Sequence, residues 1–161
     1  MMISAGERIP DITLRCMTDE GPQQMTSREI FAGRKVVLFA VPGAFTPTCH
    51  NRHVPGYLDN LDAFKKKGIE TIACVSVNDV FVMEAWARHL GAKDKILFLS
   101  DGNGDFAKAV GLDADSSAFG MGLRSRRYAM ILDDCVVQAL HVESAGGQAV
   151  ESGAEAMLAE L

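Results

Sequence analysis

One thiol in this chain of 161 residues sits where a cysteine can become a nucleophile. Cys49 follows the apolar run Val36-Val37-Leu38-Phe39-Ala40-Val41 through a loop carrying two prolines, Pro42-Gly43-Ala44-Phe45-Thr46-Pro47-Thr48. Beyond it, Val54, Tyr57, Leu58, Leu61 and Phe64 recur at helical spacing. The spacing therefore puts the thiol between a buried strand and the mouth of a helix, with its sulfur aimed at solvent. Unpaired backbone N–H groups at a helix mouth favour negative charge, and that setting or a nearby arginine can lower a thiol pKa from ~8.5 to ~3.5–7.5. The thiolate is the attacking species.

The neighbouring residues suit that chemistry. Thr46, three residues before Cys49, can bring its hydroxyl beside the sulfur as donor and acceptor at once, or serve as a helix N-cap. Pro42 lacks an N–H, fixes φ and shields a thiolate from water. His53 stands four residues after Cys49, so the two share a helix face and the imidazole leans back toward the sulfur. That spacing raises a hydrolase dyad or half a metal site. No acidic or amide residue is in evident position to orient the histidine, and no further Cys or His cluster completes a zinc set. His50 reads as exposed.

These residues need a scaffold, and the chain length suits a single core spanning residues 1–161. A composition of 48% hydrophobic and 23% charged residues is that of a soluble globular protein, and no run approaches the ~18 apolar residues of a membrane span. Net charge of −5 argues against a nucleic-acid surface, which depends on clustered Lys and Arg, so Lys65-Lys66-Lys67 reads as a helix C-terminus meeting its dipole. The four cysteines, Cys16, Cys49, Cys74 and Cys135, lack Cys-x-x-Cys spacing and are expected to rest as thiols. Met1-Met2-Ile3-Ser4 leads into Glu7 and Arg8 without an apolar core, so a cytoplasmic location is expected.

The patterning predicts a strand over 12–16 and a short helix opened by the capping box Thr26-Ser27-Arg28-Glu29. Strand 36–41, helix 49–66, strand 69–77, a helix from Val80 to Leu90 stopped by Gly91, and a strand at 96–99 follow. A short helix over 106–110 precedes a loop at 113–122, and strands 127–132 and 136–142 flank Asp133-Asp134-Cys135 as a hairpin. Ser152-Gly153-Ala154-Glu155 reads as a second capping box, before a helix with Ala154, Met157, Leu158 and Leu161 on one face. Two parallel βα units closed by an antiparallel hairpin give an α/β fold, a thioredoxin-like mixed sheet flanked by helices on both faces.

The string Pro42-Gly43-Ala44-Phe45-Thr46-Pro47-Thr48-Cys49, followed by His53-Val54-Pro55-Gly56, resembles the Pro-x-x-x-Thr-x-x-Cys motif of peroxiredoxins, in their type II, Prx5-like branch. The resemblance extends through Val75-Ser76-Val77-Asn78-Asp79 with Trp86 downstream, and through Arg124-Ser125-Arg126-Arg127-Tyr128-Ala129. It implies a thiol-dependent peroxidase for hydrogen peroxide and alkyl hydroperoxides, with no metal, flavin or haem cofactor. In that reading Cys49 attacks and becomes a sulfenic acid, Thr46 orients the peroxide, and Arg127 holds thiolate and peroxide together. Pro42, Gly43, Phe45 and His53 are its substrate-binding neighbours, His53 through hydrogen bonds. Glutathione with glutaredoxin, or thioredoxin, is the expected reductant.

The resemblance also implies a homodimer built on the Cys49 loop and on Asn78-Asp79-Val80-Phe81, and it raises Cys74 as a possible resolving cysteine. Taken alone, Cys74 reads as a small buried hydrophobe in mid-strand, poorly placed to bridge a solvent-facing thiol. Cys16 and Cys135 read as packing residues, Trp86 as packing beneath the site, and Phe45 as lining the pocket or a subunit contact. Arg124 and Arg126 read as solvated charges, with strand alternation turning Arg126 to the face opposite Arg127. A redox sensor or relay that passes oxidation to a partner protein is the alternative function, and a cysteine hydrolase a third.

Overall fold

The computed structural model describes residues 1–144 and 148–161. At its centre β3 (Lys35–Val41) runs parallel to β4 (Thr71–Ser76), which in turn runs parallel to β5 (Leu97–Ser100). Val36 to Val41 are fully buried, as a β-branched run without polar alternation requires when both faces of its strand are covered. Alternate β3 residues enter opposite cores. Val36, Leu38 and Ala40 join Ile30 and Phe31 of α1 (Ser27–Phe31) and Phe106 of α5 (Asp105–Ala109). Val37, Phe39 and Val41 join Tyr57, Phe64, Met83, Trp86 and Met157, from α2 (Val54–Leu58), α3 (Leu61–Lys66), α4 (Val80–His89) and α6 (Ala154–Leu158).

Among the described residues the sheet has seven strands, in the order β2 (Gly21–Thr26), β1 (Thr13–Thr18), β5, β4, β3, β8 (Tyr128–Asp133) and β9 (Val136–Val142). β8 (Tyr128–Asp133) and β9 (Val136–Val142) form the expected antiparallel hairpin. Asp134 and Cys135 both take positive φ there, as a two-residue turn of matching twist demands. The Asp134 carboxylate accepts from the Gly33 N–H, which ties the turn down without the usual glycine. The Thr26 capping box also forms, with Glu29 N–H on the Thr26 hydroxyl and Thr26 N–H on the Glu29 carboxylate.

One strand is added to these expectations and three of them are corrected. β1 (Thr13–Thr18) has an unforeseen partner, β2 (Gly21–Thr26), whose polar Gly21-Pro22-Gln23-Gln24 start tolerates solvent because it lies at the sheet edge. The 113–122 segment is not all loop: β6 (Asp113–Asp115) pairs with β7 (Leu123–Ser125). Ser152 does not cap the last helix; Gly153 occupies that position without a side-chain bond, and the Ser152 hydroxyl donates to Glu143. The single helix over 49–66 is three pieces. Residues Cys49–His53 form a π-helical turn in which the Val54 N–H reaches the Cys49 carbonyl, Pro55 has no N–H to continue that ladder, and the chain breaks again at Asn60 before α3.

Candidate active site

Cys49 stands at the first residue of the π-helical turn, with Pro47 and Thr48 already helical ahead of it. The His50 N–H bonds the Thr46 carbonyl, so Thr46 occupies the N-cap place and Pro47 the first helical position, where a missing N–H costs nothing. The thiol itself does not face solvent. Cys49 is fully buried, because the turn presses its side chain into the core with Val41, Val54, Tyr57 and Trp86. This corrects the expectation of an outward sulfur.

Inside that core a charged partner meets the thiol. Arg127, immediately before β8, is only 4% exposed, and its NH2 group donates to Cys49 Sγ at 2.9 Å. Its NH1 group lies 2.9 Å from Nδ1 of His53, itself 1% exposed. A guanidinium can only donate, so Nδ1 is the acceptor and the ring proton sits on Nε2, from which it is given to the Ser152 carbonyl at 3.0 Å. Burial first, and then the neighbouring Arg127 charge, push the His53 pKa down to about 4. The imidazole is therefore neutral near pH 7 and works as an acceptor for arginine. His53 leans on Arg127 rather than on the sulfur, and the orienting group missing from the sequence is the Ser152 backbone carbonyl.

The loop before Cys49 is held from two sides. The Ala44 N–H donates to Asn78 Oδ1 at 3.0 Å, and the Ser76 hydroxyl lies 2.6 Å from that same oxygen and 3.1 Å from the Val41 carbonyl. Arg124 is not a solvated charge: its Nε donates to the Met121 carbonyl and its NH1 to the Val77 carbonyl. Gly43 makes room for it. A Cβ there would stand 3.0 Å from Thr46 Cγ2 and 3.3 Å from both Arg124 NH1 and Met121 Cε. Thr46 spends its hydroxyl proton on the Gly43 carbonyl at 2.6 Å, which leaves its oxygen lone pairs as acceptors.

Phe45 adopts φ +64 at the tip of this loop, an uncommon conformation for a bulky residue. It is not packed in the Cys49–Arg127–His53 group. Its half-exposed ring contacts His50, Trp86 and His89. His50, expected in solvent, is partly buried because its Nδ1 accepts from the Trp86 indole at 3.1 Å. Cys74, opposite Phe39 in the β3–β4 register, is fully buried in the same core as Cys49. Burial and, next, the Cys49 charge push its thiol up, while Arg127 works in the other direction. All four cysteines are free thiols; Cys16 and Cys135 pack in the opposite core. Among the described residues no group of His, Cys, Asp and Glu could hold a metal ion, and no helix is long and apolar enough to cross a membrane.

The redoxin family pattern matches residues 4–158. Peroxiredoxin-2E, chloroplastic, of Arabidopsis thaliana is 47% identical across 99% of this chain and 69% of its own length. The chain belongs to the peroxiredoxins. Reduced Prx3 of Vibrio vulnificus in complex with hydrogen peroxide superposes on this peroxiredoxin with a TM-score of 0.93 at 52% identity, covering 98% of each chain. Peroxiredoxin 5 of Alvinella pompejana gives 0.87 at 38% identity over 98% of this chain and 97% of its own. The seven-stranded sheet is thus the thioredoxin-like fold of these enzymes, and this peroxiredoxin, of the type II, Prx5-like branch, is a thiol-dependent peroxidase.

Proposed function

We propose that Cys49 is the residue that reduces the peroxide, with Arg127 and Thr46 as its partners in the reaction. The observation that carries this reading is the guanidinium held 2.9 Å from a sulfur buried with it. A fixed cation beside a thiol favours the thiolate, and in a dry site its effect is far larger than in water. The thiolate attacks one oxygen of ROOH in line, an S–O bond forms, the O–O bond breaks, and ROH leaves once its alkoxide has taken a proton. Sulfur is oxidised by two electrons to the sulfenic acid.

Charge migrates during this step from sulfur to the departing oxygen, and one arginine can follow it because the planar guanidinium presents several donors in fixed directions. NH2 already points at sulfur, NH1 is tied to His53, and Nε has no partner among the described residues. That last donor is available to the peroxide. The Thr46 hydroxyl, with free lone pairs, accepts the peroxide's proton-bearing oxygen as a hydrogen-bond partner, and Pro42 and Gly43 close the site behind it. Enclosure of Cys49 favours hydrogen peroxide and small alkyl hydroperoxides over bulky ones.

An external thiol then attacks the sulfenic sulfur, releases water and leaves a mixed disulfide, which a second thiol reduces. Glutathione with glutaredoxin, or thioredoxin, fits this step. The working unit is proposed to be a homodimer: Phe45, Phe81 and Phe119 are exposed at 47%, 65% and 83%, and the Ala44–Asn78 hydrogen bond gathers the first two loops on one side. Intact-protein mass spectrometry after one equivalent of hydrogen peroxide, with and without glutathione, tests the chemistry. A single added oxygen on Cys49 that converts to a glutathione adduct is expected; an unmodified Cys49, or peroxidase activity surviving in Cys49→Ser, overturns it.

A further inference from the structure

Glu143 lies beyond the end of β9 and belongs to none of the residues that reach Cys49, yet it is only 5% exposed. A buried carboxylate is costly unless its lone pairs are filled. Here they are filled by one short segment of chain. The Val150 and Glu151 N–H groups donate to Oε1 at 3.2 and 3.1 Å, and the Ser152 N–H and hydroxyl donate to Oε2 at 2.7 and 2.5 Å. Burial opposes the charge, but these bonds outweigh it and hold the carboxyl below the usual glutamate range. The Glu143 N–H in turn donates to the Arg127 carbonyl at 3.0 Å.

The held segment is the one that orients the site. Ser152's carbonyl accepts from His53 Nε2 at 3.0 Å and from the Tyr57 hydroxyl at 2.7 Å. His53 Nδ1 receives Arg127 NH1, and Arg127 NH2 reaches Cys49 Sγ. Glu143, Ser152, His53 and Arg127 thus make one hydrogen-bonded chain from a surface-adjacent carboxylate to the sulfur. We propose that Glu143 is a positioning residue for the Cys49 reaction: by fixing Ser152 it fixes the His53 ring, and through that ring the angle at which Arg127 meets sulfur and peroxide. This rests on the function proposed above for Cys49 and Arg127.

The alternative roles of a buried glutamate can be told apart by sign. Acting only through space, a negative charge near the site opposes ionisation of Cys49, so removing it helps the thiolate form. Acting through the chain, it sustains the Arg127 contact, so removing it hinders the thiolate. The other ionisable groups packed about the sulfur are Arg127, Cys74 and Tyr57, whose phenol burial keeps protonated, with His53 neutral near pH 7, and E143Q leaves all four in place.

The test is the full chain carrying E143Q, assayed by single-turnover peroxide reduction and by the pH profile of Cys49 alkylation with iodoacetamide. Expected are a loss of about tenfold in the second-order rate with peroxide and a shift of the alkylation profile to higher pH. In a His53→Leu background, where the chain is already cut, E143Q should add nothing. A profile shifted to lower pH, a rate within twofold of the parent, or losses that multiply in the double variant would overturn the proposal. Should E143Q not fold, Ser152→Ala, which strips one bond from the carboxylate and keeps the carbonyl, carries the same double-variant test with an expected loss of two- to threefold. Alkylation needs no peroxide, so this arm reports on Glu143 even if Cys49→Ser were to keep its peroxidase activity and the proposed function failed.

Discussion

Arg127 and Cys49 are 78 residues apart in sequence and 2.9 Å apart in space, both inside the core. The contact is fixed from behind, because His53 takes a second amino group of the same guanidinium. A thiolate that must attack and then yield its charge to an oxygen needs a cation that does not move with it.

Replacing Arg127 by lysine should therefore slow peroxide reduction by about a hundredfold while the circular-dichroism spectrum and melting temperature stay close to the parent's. An ammonium has three donors, but all on one nitrogen, and a single nitrogen cannot stand at the separate positions from which NH1 meets His53, NH2 meets sulfur and Nε faces the peroxide. A second-order rate within threefold of the parent would remove Arg127 from the mechanism.

Thr46 makes a graded prediction. Valine keeps the shape but loses the oxygen, both its bond to the Gly43 carbonyl and its free lone pairs, whereas serine keeps both. Thr46→Val should fall to about a hundredth of the parental rate, and Thr46→Ser should stay within about tenfold. Equal rates for the two variants would show that the hydroxyl has no part.

The buried neutral His53 makes stability depend on pH. Its folded pKa of about 4 lies below the ordinary 6.5, so the unfolded chain binds the extra proton first. Its contribution is complete above pH 6.5, declines as pH falls from there to about 4, and is flat below, a loss of roughly 3 kcal/mol in all. Urea unfolding at pH 7, 6 and 5 should show this decline, and His53→Leu should flatten it. An unchanged slope in that variant would assign the acid sensitivity to another group.

Cys74 should not be needed for turnover. It shares the core with Cys49, but a bridge between them would require the buried π-helical turn to rearrange, at a cost in burial and hydrogen bonds. Cys74→Ser should keep most glutaredoxin-supported activity. An internal Cys49–Cys74 disulfide in the oxidised parent, with activity lost in the serine variant, would make Cys74 the resolving residue.

Phe81→Glu should convert a dimer to monomers in light scattering at tens of micromolar, since a charge would have to be buried where an exposed ring now stands. A parent that is monomeric at that concentration would reject the dimer.

The sequence by itself determined most of the local elements and singled out Cys49 as the candidate nucleophile. A β-branched run buried on both faces reads as β3 from composition alone, the Thr26 box closes within four residues, and proline, threonine and cysteine sit at offsets that one strand-to-helix junction fixes. What it could not supply were facts depending on where distant chain ends meet. The polar β2 strand exists because β1 offers it an edge, and the long helix after Cys49 breaks where Pro55 meets a turn already widened around the thiol. Arg124 reads as a solvated charge in sequence because its partners are backbone carbonyls, which carry no residue signature. Ser152 reads as a cap because a Ser-x-x-Glu spacing is local, while the buried Glu143 that claims its hydroxyl comes from beyond the end of β9. Cys49 turns inward rather than outward because Arg127, just ahead of β8, and His53, from its own turn, supply inside the core the polar contacts that a chain read residue by residue expects only from water.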